Sequence, residues 1–167
     1  MLGQNDSNQR KTYLTISHGK VVQGSGERKQ YFSFVEGAIQ AIYVRRATFG
    51  NEVVTRWYID IRDKAEIYSL CLPYSSGVFK SIILSLASVT SLTAFTPVRI
   101  EPYEANGYTK VVVCANGVKL NWITAKLPPK EVVTIGGSQI KDDTKQMQFI
   151  STLCNEITER INKTFQK

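Results

Sequence analysis

The sequence is poor in the residues that build metal sites and disulfide frameworks. It has three cysteines, Cys71, Cys114 and Cys154, and a single histidine, His18. No CxxC pair is present, whereas a zinc site needs about four clustered ligands. We therefore expect no metal and no cofactor, and we interpret the cysteines as ordinary thiols in a reducing compartment.

Long apolar runs are also missing. The longest apolar-rich run, from Val78 to Val89, is interrupted by one lysine and three serines. It falls short of the about 18 apolar residues that span a bilayer. The opening residues, MLGQNDSNQRK, lack the apolar centre of a signal peptide. We expect a cytoplasmic protein without a membrane partner.

The motifs of common enzymes do not occur in the chain. Neither GxxxxGKS/T nor GxGxxG is found, and His18 has no evident Ser or Cys partner. Asp60, Asp63 and Glu66 are close enough in sequence to suggest the magnesium site of a small nuclease. Cations alternate with these carboxylates, which favours a salt-bridged turn instead. We therefore predict that the protein is not an enzyme.

The chain is basic, and its charge is spread evenly. In 167 residues, 21 Lys and Arg stand against 14 Asp and Glu, for a net charge of +7. This balance permits a polyanionic partner without requiring one. Because no block of like charge stands out, a nucleic-acid site has to consist of selected residues on a folded surface.

The hydrophobic pattern predicts a mainly β protein with two helices. Five central strands are expected at residues 34–48, 53–61, 65–72, 98–103 and 108–115. An amphipathic helix at 77–90 lies between the third strand and the fourth, and Gly37 marks a bend in the first. This order is typical of the OB-fold, a five-stranded Greek-key barrel. A jelly roll needs about eight strands, and a sandwich rarely has a helix in this position.

Four segments follow from the composition along the chain. Residues 1–10 form a flexible N-terminus. Residues 11–122 hold the OB-fold-like domain with an N-terminal β extension, and residues 123–142 form a linker. Residues 143–167 form a C-terminal amphipathic helix with one apolar stripe. This stripe either packs on its own barrel or joins a second subunit or a replication partner.

Alternation along the strands gathers aromatic and basic side chains on one face. The Trp57 face of the second strand is the more apolar, so Arg56 and Tyr58 are expected outside. The polarity of the third strand is ambiguous. The candidate nucleic-acid-binding residues on this face are Tyr43, Arg45, Arg56, Tyr58 and Tyr68. The loops that would form its walls add the candidates Arg46, Tyr108 and Lys110. Unpaired bases stack on tyrosine and phosphates attract arginine, although tyrosine also prefers strands without any ligand.

A family resemblance is carried by the stretches Trp57–Asp63, Glu66–Leu70 and Leu72–Ile82, with Lys11–Lys20 and Val98–Tyr103 similar too. They resemble phage-encoded single-stranded DNA-binding proteins of crAss-like and related tailed phages. The resemblance covers about residues 11–122. It implies an OB-fold that coats single-stranded DNA, without sequence preference, during replication or recombination in the host cytoplasm. The preference for DNA over RNA stays open.

One departure from such proteins lies at the C-terminus. Bacterial single-strand binders usually end in a flexible acidic tail, whereas this chain ends in the mixed-charge stretch 159–167. Recruitment of replication enzymes through an acidic tail is therefore not expected. The alternative function is an OB-like scaffold or protein-interaction module, for assembly or host-factor binding, that binds no nucleic acid.

Overall fold

The computed structural model describes residues 10–123 and 127–165, apart from the side chain of Phe49. The helices are α1 (Gly77–Ala87) and α2 (Thr144–Lys163). The strands are β1 (Lys11–Ser17), β2 (Lys20–Gln23), β3 (Gln30–Phe32), β4 (Val35–Phe49), β5 (Glu52–Asp63), β6 (Glu66–Pro73), β7 (Pro97–Ala105), β8 (Tyr108–Ala115), β9 (Val118–Lys119), β10 (Glu131–Ile135) and β11 (Ser138–Asp142). The prediction of a mainly β protein with two helices is confirmed.

Nine strands form one mixed sheet within these ranges, in the order β3-β2-β1-β6-β5-β4-β7-β8-β9. The five strands predicted for the barrel are β4 to β8, and they are neighbours in the middle of this sheet. This sheet is open, so the predicted closed barrel does not form. The barrel cannot close because β1 pairs with β6 in parallel. This pairing occupies the edge of β6 that a five-stranded barrel would use for closure.

The open sheet is nevertheless strongly curled. The turn between β1 and β2 reaches the β7–β8 hairpin, where the Gly19 amide donates to Thr109 Oγ1 at 3.3 Å. Gly19 has φ +75°, and a Cβ there would lie 2.8 Å from the side chain of Glu104. Glycine is required at this turn both for its backbone conformation and for the close approach.

Gly37 lies where the first barrel strand was expected to bend. A Cβ at Gly37 would come within 2.6 Å of the Arg62 carbonyl oxygen, so only glycine lets β4 and β5 approach here. The irregularity in register comes slightly later, between Ile39 and Ala41. This bulge changes which residues of β4 point outward, so that Tyr43 faces the same side as Asp60.

The two helices pack on the inner face of the curled sheet. Helix α1 is capped at its N-terminus by Ser76, whose Oγ accepts a hydrogen bond from the Phe79 amide at 3.2 Å. It is buried over most of its surface between the sheet and α2. Its predicted end at residue 90 was too late, since the helix stops at Ala87. There, Arg160 Nη1 of α2 donates to the Ala87 carbonyl at 2.9 Å.

The apolar stripe of α2 is covered by its own domain. The buried residues of the stripe are Met147, Ile150, Leu153, Cys154, Ile157 and Ile161. They join the same hydrophobic core as α1 and the sheet. Of the two roles that the sequence left open for the stripe, packing on its own fold is the one observed.

The segment predicted as a linker contains the hairpin β10–β11, which turns at Gly136 and Gly137. All but the last of its strand residues are exposed. The predicted flexible N-terminus falls almost entirely on residues 1–9, which lie outside the described part of the chain. Within the described ranges, no helix is long and apolar enough to cross a membrane.

Candidate nucleic-acid interface

Burial of Trp57 sets the two faces of β5. The Trp57 ring is 5% exposed and stacks on Phe79 at 4.7 Å between centroids. A second ring, that of Tyr74, lies parallel to it at 5.9 Å. Because side chains alternate along a strand, Arg56 and Tyr58 must point to the outer, convex face of the sheet. The predicted orientation of β5 is therefore confirmed.

Four of the predicted residues meet on this outer face. In the β4–β5 pair, Tyr43 lies opposite Tyr58, and Arg45 lies opposite Arg56. The two tyrosine rings stack, with centroids 5.4 Å apart and planes 11° from parallel. The Arg45 guanidinium carbon lies 4.9 Å from the centroid of Tyr43. Cross-strand pairing thus places a pair of aromatic rings next to a pair of cations.

Strand β1 adds two residues that the sequence analysis did not assign to the site. The Tyr13 ring meets Tyr58 edge-on, with centroids 6.5 Å apart, and is 56% exposed. The Lys11 ammonium lies 5.3 Å from the Tyr43 centroid. The alternation of polar and apolar residues in β1 indicates that Tyr13 and Leu14 point to opposite faces of the strand. It does not indicate that Tyr13 lies beside β5. We call Lys11, Tyr13, Tyr43, Arg45, Arg56 and Tyr58 the outer-face cluster.

Asp60 holds two residues of this cluster, Lys11 and Tyr43, in place. Its carboxylate, 8% exposed, accepts hydrogen bonds from Lys11 Nζ at 2.9 Å and from Tyr43 Oη at 3.1 Å. The hydrogen bond to Asp60 raises the pKa of Lys11 above its ordinary value, although desolvation opposes the rise. Lys11 therefore remains a cation across the neutral range. Asp60 is engaged with Lys11 rather than with the neighbouring cations of the turn predicted from sequence.

Arg56 and Tyr58 also lie next to Cys71 of β6. Arg56 Nη1 is 3.8 Å from the Cys71 sulfur, and Tyr58 faces Cys71 across the strand pair. Burial raises the pKa of Tyr58, and its hydrogen bond with Cys71 adds to the rise. The phenol is therefore neutral at physiological pH. Cys71 is partly exposed, so this thiol lies at the cluster and within reach of solvent.

Two predicted residues lie on the other face of the sheet. Arg46 follows Arg45 in β4 and sits opposite Thr55, so alternation turns it to the inner side. Tyr68 lies opposite the fully buried Ile61, and its hydroxyl donates to Glu66 Oε2 at 2.6 Å. The hydrogen bond to Glu66 raises the pKa of Tyr68. The ambiguity of the third strand is thus resolved against Tyr68 joining the outer-face cluster.

Tyr108 and Lys110 stand apart from the cluster. Both are on β8, and β4 and β7 lie between that strand and β5 in the sheet. Tyr108 is 72% exposed, and Lys110 lies opposite Tyr103 across the β7–β8 pair. Any ligand that contacts them together with Tyr58 has to follow the curved outer surface over several strands.

No protein-family model, curated protein or solved structure matches this chain. What the outer face can do chemically therefore follows from its own residues. Three tyrosines offer ring surface and edges, and three cations outnumber the single carboxylate of Asp60. Among the described residues, no group of His, Cys, Asp and Glu is arranged to hold a metal ion. The surface is suited to a ligand that carries both flat rings and negative charge.

Proposed function

We propose that the protein binds single-stranded DNA on the outer-face cluster without sequence preference. The observation that carries the proposal is the row Tyr43, Tyr58 and Tyr13 across β4, β5 and β1, flanked by cations. Stacking of a base on an aromatic side chain is worth about 1–3 kcal/mol and tolerates any base. Contacts of arginine and lysine with phosphates add affinity through counterion release.

A single strand fits this surface better than a duplex does. The bases of a duplex are stacked on one another, so their faces are not available to tyrosine rings that stand on a sheet. Unpaired bases expose both faces, and a convex sheet surface leaves room for an extended backbone. RNA shares these properties, so the same surface would accept single-stranded RNA unless the 2′-hydroxyl is excluded.

The proposal includes an OB-fold-like core formed by β4 to β8 with α1 between β6 and β7. OB-folds bind nucleic acids on the face of their second and third strands, and in this proposal β5 and β6 correspond to those strands. Together with the family resemblance, this supports a protein that coats single strands in phage replication or recombination, in the cytoplasm of the host. Such a role needs no catalysis and no cofactor.

Two adjacent arginines provide a matched test. Arg45 is in the outer-face cluster, whereas Arg46 is on the opposite face of the same strand, and both are exposed. We expect Arg45→Ser to weaken binding of single-stranded DNA and to reduce the salt slope of log K by about 0.7, as for one lost phosphate contact. Arg46→Ser should change neither quantity. Equal effects of the two substitutions would move the site away from the outer face.

The binding itself is measured by fluorescence anisotropy with a labelled single strand of about 30 nucleotides. Titrations at low and at physiological salt should show an affinity that falls steeply with salt. Unlabelled duplex DNA should compete poorly, and single-stranded RNA reports the preference between the two nucleic acids. No binding at low salt would refute the proposal.

A second candidate is a protein-interaction module, which the β10–β11 hairpin favours. Val133, Ile135 and Ile140 share one face of the hairpin and are 36%, 61% and 48% exposed. A two-stranded hairpin is marginally stable alone, so an apolar partner would stabilise it. Replacing all three residues with threonine should then reduce self-association in sedimentation velocity. Association through α2 would require its exposed face, because its apolar stripe is buried.

A further inference from the structure

A cavity opens at the end of the curled sheet, on the opposite side from the outer-face cluster. Its volume is about 440 Å³, within the range of small-molecule sites. The walls come from β1, β2, the end of β3, the start of β4, the end of β5, β6 and the start of β7. The apolar and aromatic lining residues are Leu14, Val21, Phe32, Phe34, Val35 and Tyr68. Phe32 and Phe34 are 42% and 40% exposed, so they form the mouth.

The charged groups at this cavity are of one sign. Glu36 and Asp63 both contribute to the lining, and no lysine or arginine of the described chain does so. Glu36 already pairs with Arg99 at 3.4 Å. Within the described ranges, Asp63 has no ion-pair or side-chain hydrogen-bond partner. The neighbouring Glu66 is already engaged by the Tyr68 hydroxyl. Asp63 therefore leaves one unpaired negative charge beside an apolar cavity.

The chain's own Arg99 shows which chemistry suits this rim. Its guanidinium carbon lies 3.7 Å from the centroid of the Phe34 ring while it pairs with Glu36. A cation over an aromatic face and beside a carboxylate is attracted by both groups. Asp63 and Tyr68 provide a second carboxylate and a second aromatic ring in the lining of the cavity. No described lysine or arginine lines the cavity beside them.

We propose that this cavity binds a small organic cation, an amine with an aromatic or branched aliphatic body. The body would fill the space between Val21, Val35 and Tyr68, and the ammonium group would face Asp63. A nucleic acid is disfavoured here, because its phosphates would meet the unpaired charge of Asp63. The site is thus distinct in charge and in position from the proposed DNA-binding surface.

Three probes of similar size and shape separate the contribution of the ligand's charge from that of its aromatic body. Phenethylammonium, 2-phenylethanol and phenylacetate share the aromatic body and differ in charge. Dissociation constants come from amide chemical-shift titrations of the full chain, followed at residues of the cavity such as Phe34 and Gly37. We expect the cation to bind about fivefold more tightly than the alcohol, the effect of one partly exposed ion pair. The anion should bind most weakly.

Two variants assign the preference to the cavity. Asp63→Asn should abolish the advantage of the cation while leaving the affinity for 2-phenylethanol unchanged. Glu156→Gln, which removes an exposed carboxylate of α2, a helix that contributes no residue to the lining, should change nothing. Equal binding of cation and alcohol in the unmodified protein would overturn the proposal. So would shift changes confined to the outer-face cluster, or an unchanged cation preference in Asp63→Asn. Binding of single-stranded DNA is measured in parallel and is expected to be unaffected.

Discussion

Tyr43 and Tyr58 stack on each other across the β4–β5 pair, with 5.4 Å between ring centroids. The faces that they turn to each other are therefore closed to a base. The Arg45 guanidinium lies near the Tyr43 ring as well, at 4.9 Å. Tyr13 meets the pair with an edge-on contact and remains the most exposed ring of the three. The stacked pair thus packs against Tyr13, and the Tyr13 ring has the larger surface free to stack on a base.

Replacing Tyr13 with alanine should weaken single-stranded DNA binding the most among the tyrosines of the cluster. If one base stacks on this ring, the loss is about 1–3 kcal/mol, or roughly 5- to 150-fold in affinity. Tyr13→Phe should retain most of the affinity, because stacking needs the ring and not the hydroxyl. Anisotropy titrations measure both variants. Phe95→Ala is the control, since Phe95 is 63% exposed but contacts Phe165 near the end of α2.

The three cysteines allow the bound strand to be located without any substitution. Cys71 lies at the outer-face cluster beside Arg56, and Cys114 lies on β8 opposite Arg99. Single-stranded DNA should slow the alkylation of Cys71 several-fold and leave Cys114 unchanged. Cys154 should not react in the folded state, because burial raises its pKa to about 12 and the thiolate is the reactive species. Mass spectrometry of the labelled peptides measures the three rates.

The opposite pattern of protection would contradict the proposed surface. Protection of Cys114 without protection of Cys71 would place the strand on β7 and β8, near Tyr108 and Lys110. Labelling of Cys154 would report unfolding, so its rate controls for damage to the protein during the experiment.

Local patterns were sufficient to predict the central strands and both helices. Alternation in β5 separated Trp57 from Tyr58, and the turn at Asn106 and Gly107 set the β7–β8 hairpin through two residues of positive φ. Ser76 caps α1 as its position before the apolar run suggested. Each of these features depends on residues that are close in sequence, so a single chain contains the information.

The features that were missed depend on contacts between distant segments. Lys11 and Tyr13 join the cluster only because β1 pairs with β6, far along the chain. Nothing in the composition of β1 specifies that neighbour. The orientation of Tyr68 was ambiguous because both faces of β6 carry apolar residues, and packing against Ile61 decides it. The charged cavity likewise forms from residues of all seven strands from β1 to β7.

Asp60 should restrain Lys11 from contact with phosphate. The Lys11 ammonium is 30% exposed and is held by the Asp60 carboxylate at 2.9 Å. Asp60→Asn removes this negative charge, so we expect tighter DNA binding and a salt slope that is steeper by about 0.7 if Lys11 then contacts one phosphate. The free energy of unfolding should fall by about 1 kcal/mol, since the pair is partly solvated. Titrations over a series of NaCl concentrations and urea unfolding measure the two effects.

The exposed Glu159 of α2 provides the control for Asp60. Glu159→Gln makes the same change in net charge on the helical side of the protein. It should leave the salt slope unchanged. If the two variants bind alike, the effect belongs to the overall charge and not to the release of Lys11.

Lys80 gives the folded protein a pH dependence in the alkaline range. Its side chain is 8% exposed beneath α2, where Nζ donates to Gln146 Oε1 at 3.0 Å and lies 3.8 Å from Asp143. Desolvation lowers its pKa below the ordinary 10.5, and the charge of Lys130 adds to this effect. The unfolded chain therefore binds more protons than the folded chain at a pH just below 10.5, and stability rises with pH there.

We expect Lys80→Met to remove this rise. Over the range from neutral pH toward 10.5, the stability of the unmodified protein should increase relative to that of the variant, because only the former loses an unfavourable buried charge. Urea unfolding at several pH values measures the difference, in which other titrating groups cancel. Lys163→Met, at the exposed end of α2, should run parallel to the unmodified protein. If the stability curves of Lys80→Met and of the unmodified protein are parallel, the prediction is wrong. The contacts with Gln146 and Asp143 would then fully compensate for the burial of the charge.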